Sequence, residues 1–391
     1  MWPSLSDTSI IGFLFFLVLY LWPRRRQDPN WTYRQAITCA LMKVGLQKFV
    51  TFRIKPSLSL KTGREKERFV LVDPALPEAY SGVAEDNNIW PETIGGTWYP
   101  NRFTSDTTVP EGQHIILHFH GGSYVMGDGR TKSTGFLARN LLDSTSALYV
   151  FCPQYRLSGQ PQGRFPAQLQ DAISSYSYLV YTLHIPASQI ILSGDSAGAH
   201  LVLGLLRYIV QMDNPFILPA PLCNWLFSPW CDVPAAIDTS DWRRDPNYAT
   251  EYIPATLPAW GAKNYLRDLD ITGPIEEQVV PLRHPFILPS PLLIVTGGRE
   301  ILLQQHLQLA QGFLKIPENM DCVELYKEDG VPHDVLAIGG IANFRHQALR
   351  CARNAGDFLR NLRPERPAFK AEFFTVSNDN FEDPNNEKAG T

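Results

Sequence analysis

This chain lacks an excess of either sign of charge. Over 391 residues, 35 Lys and Arg stand against 39 Asp and Glu, a formal net charge of −4. No basic surface is available for nucleic acid, and the chain is not the acidic, self-repelling kind that stays disordered. Cysteine is equally thin as a pattern: the six residues, at positions 39, 152, 223, 231, 322 and 351, include no CxxC. Cys152, Cys223 and Cys322 fall inside expected strands, so buried free thiols are expected rather than a disulfide framework or a metal site. Internal repeats, phosphate-cradling loops and dinucleotide glycine patterns are all missing, and no cofactor is expected. Apolar residues, by contrast, make up 44% of the chain. That suffices for one large α/β domain carrying an insertion, which is preferred here to two domains.

The N-terminus holds the longest apolar run, Ile10 to Trp22, which reaches back to Leu5 only by admitting Asp7. It is short but sufficient for a thin bilayer, and its charges, Arg24 to Arg26, follow it rather than precede it as they would in a cleaved signal peptide. Residues 1–26 are therefore expected to be an uncleaved single-pass anchor, in contact with lipid through residues 5–22 and located in the endoplasmic reticulum. The positive-inside rule sets the body on the cytosolic side. The sequon Asn30-Trp31-Thr32 matters only in the lumen and argues the other way. Residues 27–90 are expected to form an N-terminal cap or linker. Within it, Trp31 to Phe52 repeats apolar residues at helical spacing (Ile37, Leu41, Val44) beside Arg34, Lys43, Lys48 and Arg53. Such a helix either lies on a membrane surface or packs over the body.

From residue 91 to 363 the pattern is strand, helix, strand, helix, which predicts a mostly parallel sheet covered on both faces. Gly95 to Tyr99 reads as an edge strand after the turn-rich stretch 57–88. Buried strands follow at His114–His120, Ala147–Cys152, Ile190–Ser193, Leu222–Cys231, Pro291–Gly297 and Val323–Tyr326. Helices are expected over Phe165–Leu183, from Ala197 onward and over Ile341–Leu362. Residues 232–289 are irregular and aromatic (Trp242, Tyr248, Tyr252, Trp260, Tyr265) and too long for a loop. They predict a helical cap whose aromatics are shared between its own core and an apolar pocket. Residues 364–391, polar and rich in Pro, Asn, Asp and Glu, predict a disordered tail.

The chemistry concentrates where the strand at Ile190 ends in Gly194-Asp195-Ser196-Ala197-Gly198. A serine between small neighbours at a strand-to-helix turn is a nucleophile elbow, and the N–H of Ala197 can then receive an oxyanion. The glycines at 121 and 122, just past the strand ending at His120, suit a second pair of donors, with Ser123 beside them. A serine hydroxyl is a poor nucleophile and needs a histidine, which in turn needs an acid. In sheets of this kind the order is serine, acid, histidine. His333 lies in a loop directly after the last strand, flanked by Gly330 and Pro332. Glu300 lies in the turn after the strand before it, with Asp329 as a reserve. His200, His306 and His346 fall inside helices, where His200 is expected to be structural. Activity is expected to fall as His333 protonates near or below ~6.5.

His120-Gly-Gly-Ser123, Tyr155-Arg-Leu157, Phe165-Pro-Ala167 with Asp171, and Gly194-Asp-Ser-Ala-Gly198 together resemble the motifs of the hormone-sensitive-lipase-like branch of the α/β-hydrolases. This is the group of the arylacetamide deacetylases and steryl acetyl hydrolases, and the resemblance runs from about Gly95 to Leu362. It implies an α/β-hydrolase fold with Ser196 as nucleophile, Glu300 in place of the usual Asp, His333 as base, and oxyanion N–H groups from Gly122, Ser123 and Ala197. Ser123 replaces the third glycine of the pattern, which leaves the donor intact if its φ is ordinary. The activity implied is removal of a short acyl group from a hydrophobic alcohol such as a sterol or secondary metabolite. A cyclase or acyltransferase using the same triad, and a non-catalytic small-molecule receptor, remain as alternatives.

Overall fold

The computed structural model describes residues 16–104, 106–212 and 218–362. Among them, one sheet holds β1 (Phe69–Val72), β2 (Ile94–Tyr99), β3 (His114–Phe119), β4 (Ala147–Gln154), β5 (Ile190–Asp195), β6 (Cys223–Phe227), β7 (Leu292–Gly297) and β8 (Val323–Glu328). Their order in space is β1-β2-β4-β3-β5-β6-β7-β8. β2 pairs antiparallel with both of its neighbours, β1 and β4, and the strands from β4 through β3, β5, β6 and β7 to β8 run parallel. The expected edge strand at Gly95 is thus interior. The edge is β1, four residues in a stretch read from the sequence as turns, too short and too closely bordered by charge to show a period.

The helices are α1 (Tyr33–Thr51), α2 (Thr131–Ser144), α3 (Ala167–Ser177), α4 (Ala197–Met212), α5 (Thr239–Arg244), α6 (Thr256–Tyr265), α7 (Gly273–Val279), α8 (Leu303–Leu314), α9 (Val335–Ile338) and α10 (Arg345–Asn361). Successive strand residues point to opposite faces, and here they enter two different cores. Ile115, Ile190, Leu192 and Ile294 pack with Leu169 and Ile173 of α3 and Leu201 and Leu205 of α4. Ile116, Ile191, Leu293 and Val295 pack with Leu137 and Leu141 of α2 and Ala352 and Leu359 of α10. Each fully buried Ile or Leu contributes about 1.5–3 kcal/mol, so the all-apolar runs of β3, β5 and β7 need helices on both sides. The C-terminal ends of β5, β7 and β8 consequently open onto one rim, where ligands of open α/β sheets bind.

Most of the expected anchor lies outside the described residues. No helix among the described residues is long and apolar enough to cross a membrane, and residues 1–15 lie outside the described residues. The described end of the apolar run folds onto the body: Tyr20 is buried in the core shared by α2 and α10, and the Tyr33 hydroxyl donates to the Leu17 carbonyl at 3.0 Å. Arg26, expected to flank a membrane, instead donates to the carbonyls of Tyr20 at 2.9 Å and Trp31 at 2.7 Å.

The apolar face assigned to α1 is also corrected. Leu41 is 44% exposed, whereas Lys43, expected among the outward charges, is buried. Its Nζ donates to the Tyr248 carbonyl at 2.7 Å and sits 3.6 Å over the Tyr248 ring. Burial pulls the Lys43 amine down to about 8, although buried Glu251 opposes this. The helix packs over the cap, where Thr256 donates to Gln47 at 2.8 Å, so its inward face is partly polar. Cysteines 39, 152, 223, 231 and 351 are buried free thiols, while Cys322 lies just before β8 and is only half-buried. The expected tail, 364–391, lies outside the described residues.

Candidate active site

Ser196 stands between β5 and α4 with φ 51°, the left-handed region that a side chain enters at a cost. The flanking glycines make this turn possible by close approach. A Cβ on Gly198 would lie 1.9 Å from the Phe119 carbonyl oxygen, and one on Gly194 would lie 2.4 Å from the Gly198 backbone. The turn is held from both sides: Ser196 N donates to Phe227 O at 2.8 Å, and Ser196 O accepts from Trp230 N at 3.1 Å.

The glycine turn after β3 is fixed to the same elbow. Gly121 N donates to Asp195 Oδ2 at 2.8 Å, so that N–H is committed to the scaffold. Among the described residues, no protein group accepts from the N–H of Gly122, Ser123 or Ala197. The condition set for the Ser123 donor, an ordinary φ, is not met: Ser123 has φ 51°, and Gly122 and Tyr124 are also positive at 112° and 61°. The cap holds this conformation, since a Cβ on Gly261 of α6 would lie 2.1 Å from the Ser123 carbonyl oxygen. The tyrosine of a second motif braces the same turn, and the arginine beside it ties the loop to α3. The Tyr155 hydroxyl donates to His120 O at 2.5 Å. Arg156 bonds Asp171 of α3 through Nε and Nη2 at 3.0 and 2.8 Å, and through its backbone N at 2.7 Å.

Glu300 and His333 meet across the ends of β7 and β8. Nδ1 of His333 lies 2.7 Å from Oε2 of Glu300. Oε1 of the same carboxylate accepts from Ser228 Oγ at 3.0 Å, Thr296 Oγ1 at 2.7 Å and Gly297 N at 2.5 Å. Burial alone would raise the Glu300 carboxyl, but His306 and then His333 outweigh it and hold it well below the usual carboxylate range. For His333 burial works downward, yet the hydrogen bond and charge of Glu300, helped by Glu251 and Asp195, leave it raised above 6.5. The expected fall in activity near or below 6.5 is corrected accordingly, to a point above it. Nε2 of His333 is buried and has no hydrogen-bond partner, so its lone pair is uncommitted, and the Ser196 hydroxyl is not hydrogen-bonded to it in this structure; the structure brings Glu300 and His333 together but leaves the bond to Ser196 unmade. Asp329, the reserve acid, is not part of this group; its exposed carboxylate lies 3.1 Å from Lys327. His200 is structural as expected, its Nδ1 2.6 Å from the Tyr124 hydroxyl and burial lowering it to about 4.

A second polar layer was not legible from spacing. His118 faces Ser193 across β3 and β5 and bonds Ser193 Oγ and Asp195 Oδ1, both at 2.9 Å. Asp334, beside His333, is driven well above the usual range by burial and then by Asp195, to which it hydrogen-bonds. Asp195 itself is lowered: burial raises it, but His118 prevails. The alternation of His118 with His120 on one strand was the available signal, and it needs the strand pairing to be read. The cap aromatics are mainly core: Trp242, Tyr252, Trp260 and Tyr265 are all buried. Tyr252 comes nearest the site, its ring centroid 6.4 Å from that of His333. With Ser196 8% and His333 2% exposed, the cap covers the site.

A mostly parallel sheet with a serine elbow, a histidine–carboxylate pair on adjacent strand ends and a glycine turn tied to the elbow defines an α/β hydrolase. Residues 116–337 match the family described by the alpha/beta hydrolase fold, and the chain belongs to that family, as its motifs led us to expect. Among curated relatives, an acetyl-hydrolase of Streptomyces hygroscopicus is 30% identical over 221 residues, covering 51% of this chain and 62% of the relative. An esterase of Acinetobacter venetianus is 31% identical over 191 residues, 48% of this chain and 57% of the relative. The matches thus span about six tenths of these relatives' length. Among solved structures, a hormone-sensitive lipase from a metagenome library aligns with a TM-score of 0.54 and 21% identity over 89% of this chain and 98% of its own. That likeness is one of fold.

Proposed function

We propose that this protein is a serine carboxylic-ester hydrolase working through an acyl-enzyme. The observation that carries the reading is the bond from His333 Nδ1 to Glu300 at 2.7 Å together with the buried, unpartnered Nε2 on the same ring. Nε2 takes the proton of Ser196 as Oγ bonds to the ester carbonyl carbon, and Glu300 holds the imidazolium so formed. The N–H groups of Gly122, Ser123 and Ala197 receive the oxyanion, each such donor being worth about 100- to 1000-fold in rate. Collapse breaks the bond to the alcohol, which leaves with the proton from Nε2. Water, deprotonated by the same nitrogen, then releases the acid and restores Ser196. No step calls for a metal or an organic cofactor.

The substrate we infer is a short acyl ester, such as an acetate, of a hydrophobic alcohol such as a sterol. Support comes from the acetyl-hydrolase relative, from the close packing of the Ser123 turn under the cap, and from the apolar aromatic roof. The exposed side chains of Val18, Leu21 and Trp22 at the end of the apolar run favour work at a membrane of the endoplasmic reticulum. Purified protein is expected to cleave p-nitrophenyl acetate and to be labelled by a serine-directed phosphonate, and Ser196→Ala to do neither. Activity that survives in Ser196→Ala overturns the reading. Recovery of the full chain in the carbonate-soluble fraction overturns the membrane location.

A further inference from the structure

Glu300 has a histidine on each side, and the mechanism above uses only one. His306, on α8, is fully buried. Its Nε2 lies 2.7 Å from the Pro229 carbonyl oxygen; a carbonyl has no proton to give, so Nε2 carries one. Its Nδ1 lies 2.7 Å from Thr296 Oγ1 and 3.4 Å from Glu300 Oε1. Thr296 has a single hydroxyl proton, and its bond to Glu300 Oε1 at 2.7 Å uses it. The Nδ1 contact then joins a donor to an acceptor only if Nδ1 also bears a proton. Both ring nitrogens of His306 are donors in that arrangement, which is the hydrogen-bond pattern an imidazolium makes.

We propose that His306 is a positioning residue that carries the positive charge neutralising buried Glu300, leaving His333 as the neutral imidazole with its Nε2 lone pair available. The proposal rests on the ester-hydrolase reading for its kinetic consequence but not for the charge itself. A buried carboxylate without a cationic partner is costly. If His333 supplied that charge it would be unable to act as base. Placing the proton on His306 resolves the conflict: Oε1 is compensated by His306 through space and through Thr296, and Oε2 remains for His333. The other titratable groups around the pair are Glu251 from the cap, Cys231 after β6, and Asp334 and Asp195 beyond His333.

The direct test is ¹⁵N NMR of the imidazole rings in Ser196→Ala protein near pH 7, with resonances assigned through His306→Gln and His333→Gln. His306 is expected to show two protonated ring nitrogens and His333 one; a single protonated nitrogen on His306 overturns the proposal. This measurement needs no substrate, so it stands even if the ester-hydrolase reading fails. The second test is the pH profile of kcat/KM for p-nitrophenyl acetate in His306→Gln, which keeps hydrogen-bonding capacity but is neutral at every pH. Losing the cation lets Glu300 hold the His333 proton more tightly, and the acid limb is expected to move up by about one pH unit. A uniform loss of rate with the limb unmoved marks a merely structural residue and overturns the proposal. If His306→Gln fails to fold, through-bond correlation from the assigned backbone of His306 identifies its ring nitrogens in the Ser196→Ala protein, and the ¹⁵N measurement still decides.

Discussion

Nδ1 of His333 and Oε2 of Glu300 lie 2.7 Å apart although 33 residues of chain, including a helix and a strand, separate them. Glutamate is one carbon longer than the aspartate usual in this family, and the extra reach is taken up locally. Gly297 N and Thr296 Oγ1 draw Oε1 back against the end of β7, which leaves Oε2 directed at the imidazole. Glu300→Gln keeps the shape but supplies an amide where a carboxylate is needed. By analogy with the loss of tautomer control in other triads, kcat is expected to fall about 10⁴-fold. Steady-state hydrolysis of p-nitrophenyl acetate measures this, with circular dichroism showing that the fold persists.

The pH profile follows from the direction of one shift. His333 is held above 6.5 in the folded protein, and only its neutral form accepts the proton of Ser196. In the unmodified protein kcat/KM is therefore expected to decline as pH drops through a midpoint above ~6.5. A midpoint at or below that value contradicts the assignment of Glu300 as the dominant partner.

Gly261 and Ser123 set the next expectation. A methyl at 261 would meet the Ser123 carbonyl at 2.1 Å and its Cβ at 2.9 Å, and neither atom is the end of a flexible chain. Gly261→Ala must therefore displace the turn that carries the Gly122 and Ser123 N–H groups. We expect kcat to drop by about 100-fold or more, the scale of one lost oxyanion donor, with KM changed far less. Equal loss in KM and none in kcat would show that the turn does not serve the oxyanion.

Asp334 provides a stability test. Burial and then the neighbouring Asp195 raise its folded carboxyl well above the usual carboxylate value, which favours the protonated form that can donate to Asp195. The stabilisation from that group is fully present below ~3.9 and is lost as pH rises through the raised folded value. Asn at 334 offers an uncharged donor at every pH, and asparagine tolerates the left-handed backbone at φ 47°. Asp334→Asn is expected to melt higher than the unmodified protein at about pH 8–9, by a few degrees for about 1 kcal/mol gained, with a smaller difference near pH 5. Asp334→Ala lacks the donor and is expected to melt lower throughout. Differential scanning fluorimetry across pH distinguishes the three.

Much of the fold and of the site was legible in the sequence because it was written in local periods. Runs such as Ile190–Leu192 and Leu292–Val295 have no polar alternation, so they had to be strands covered on both faces. The glycines at 194 and 198 had to permit close packing around Ser196, and the histidine and acid had to follow serine in chain order near strand ends. Those constraints act between near neighbours or follow from sheet topology. β1, the inward turn of Lys43 and the left-handed Ser123 were not legible, because each is decided by what packs against it: β2, the cap, and Gly261. Tyr20 and Arg26 show the same thing at the N-terminus, where residues that suit a membrane boundary are instead held by carbonyls and a core distant in the chain. The charge layer of His118, Asp195, Asp334 and His306 belongs wholly to the tertiary structure. Side-chain chemistry alone leaves a histidine or a carboxyl free to be charged or neutral; only burial and the count of donors around it select the state.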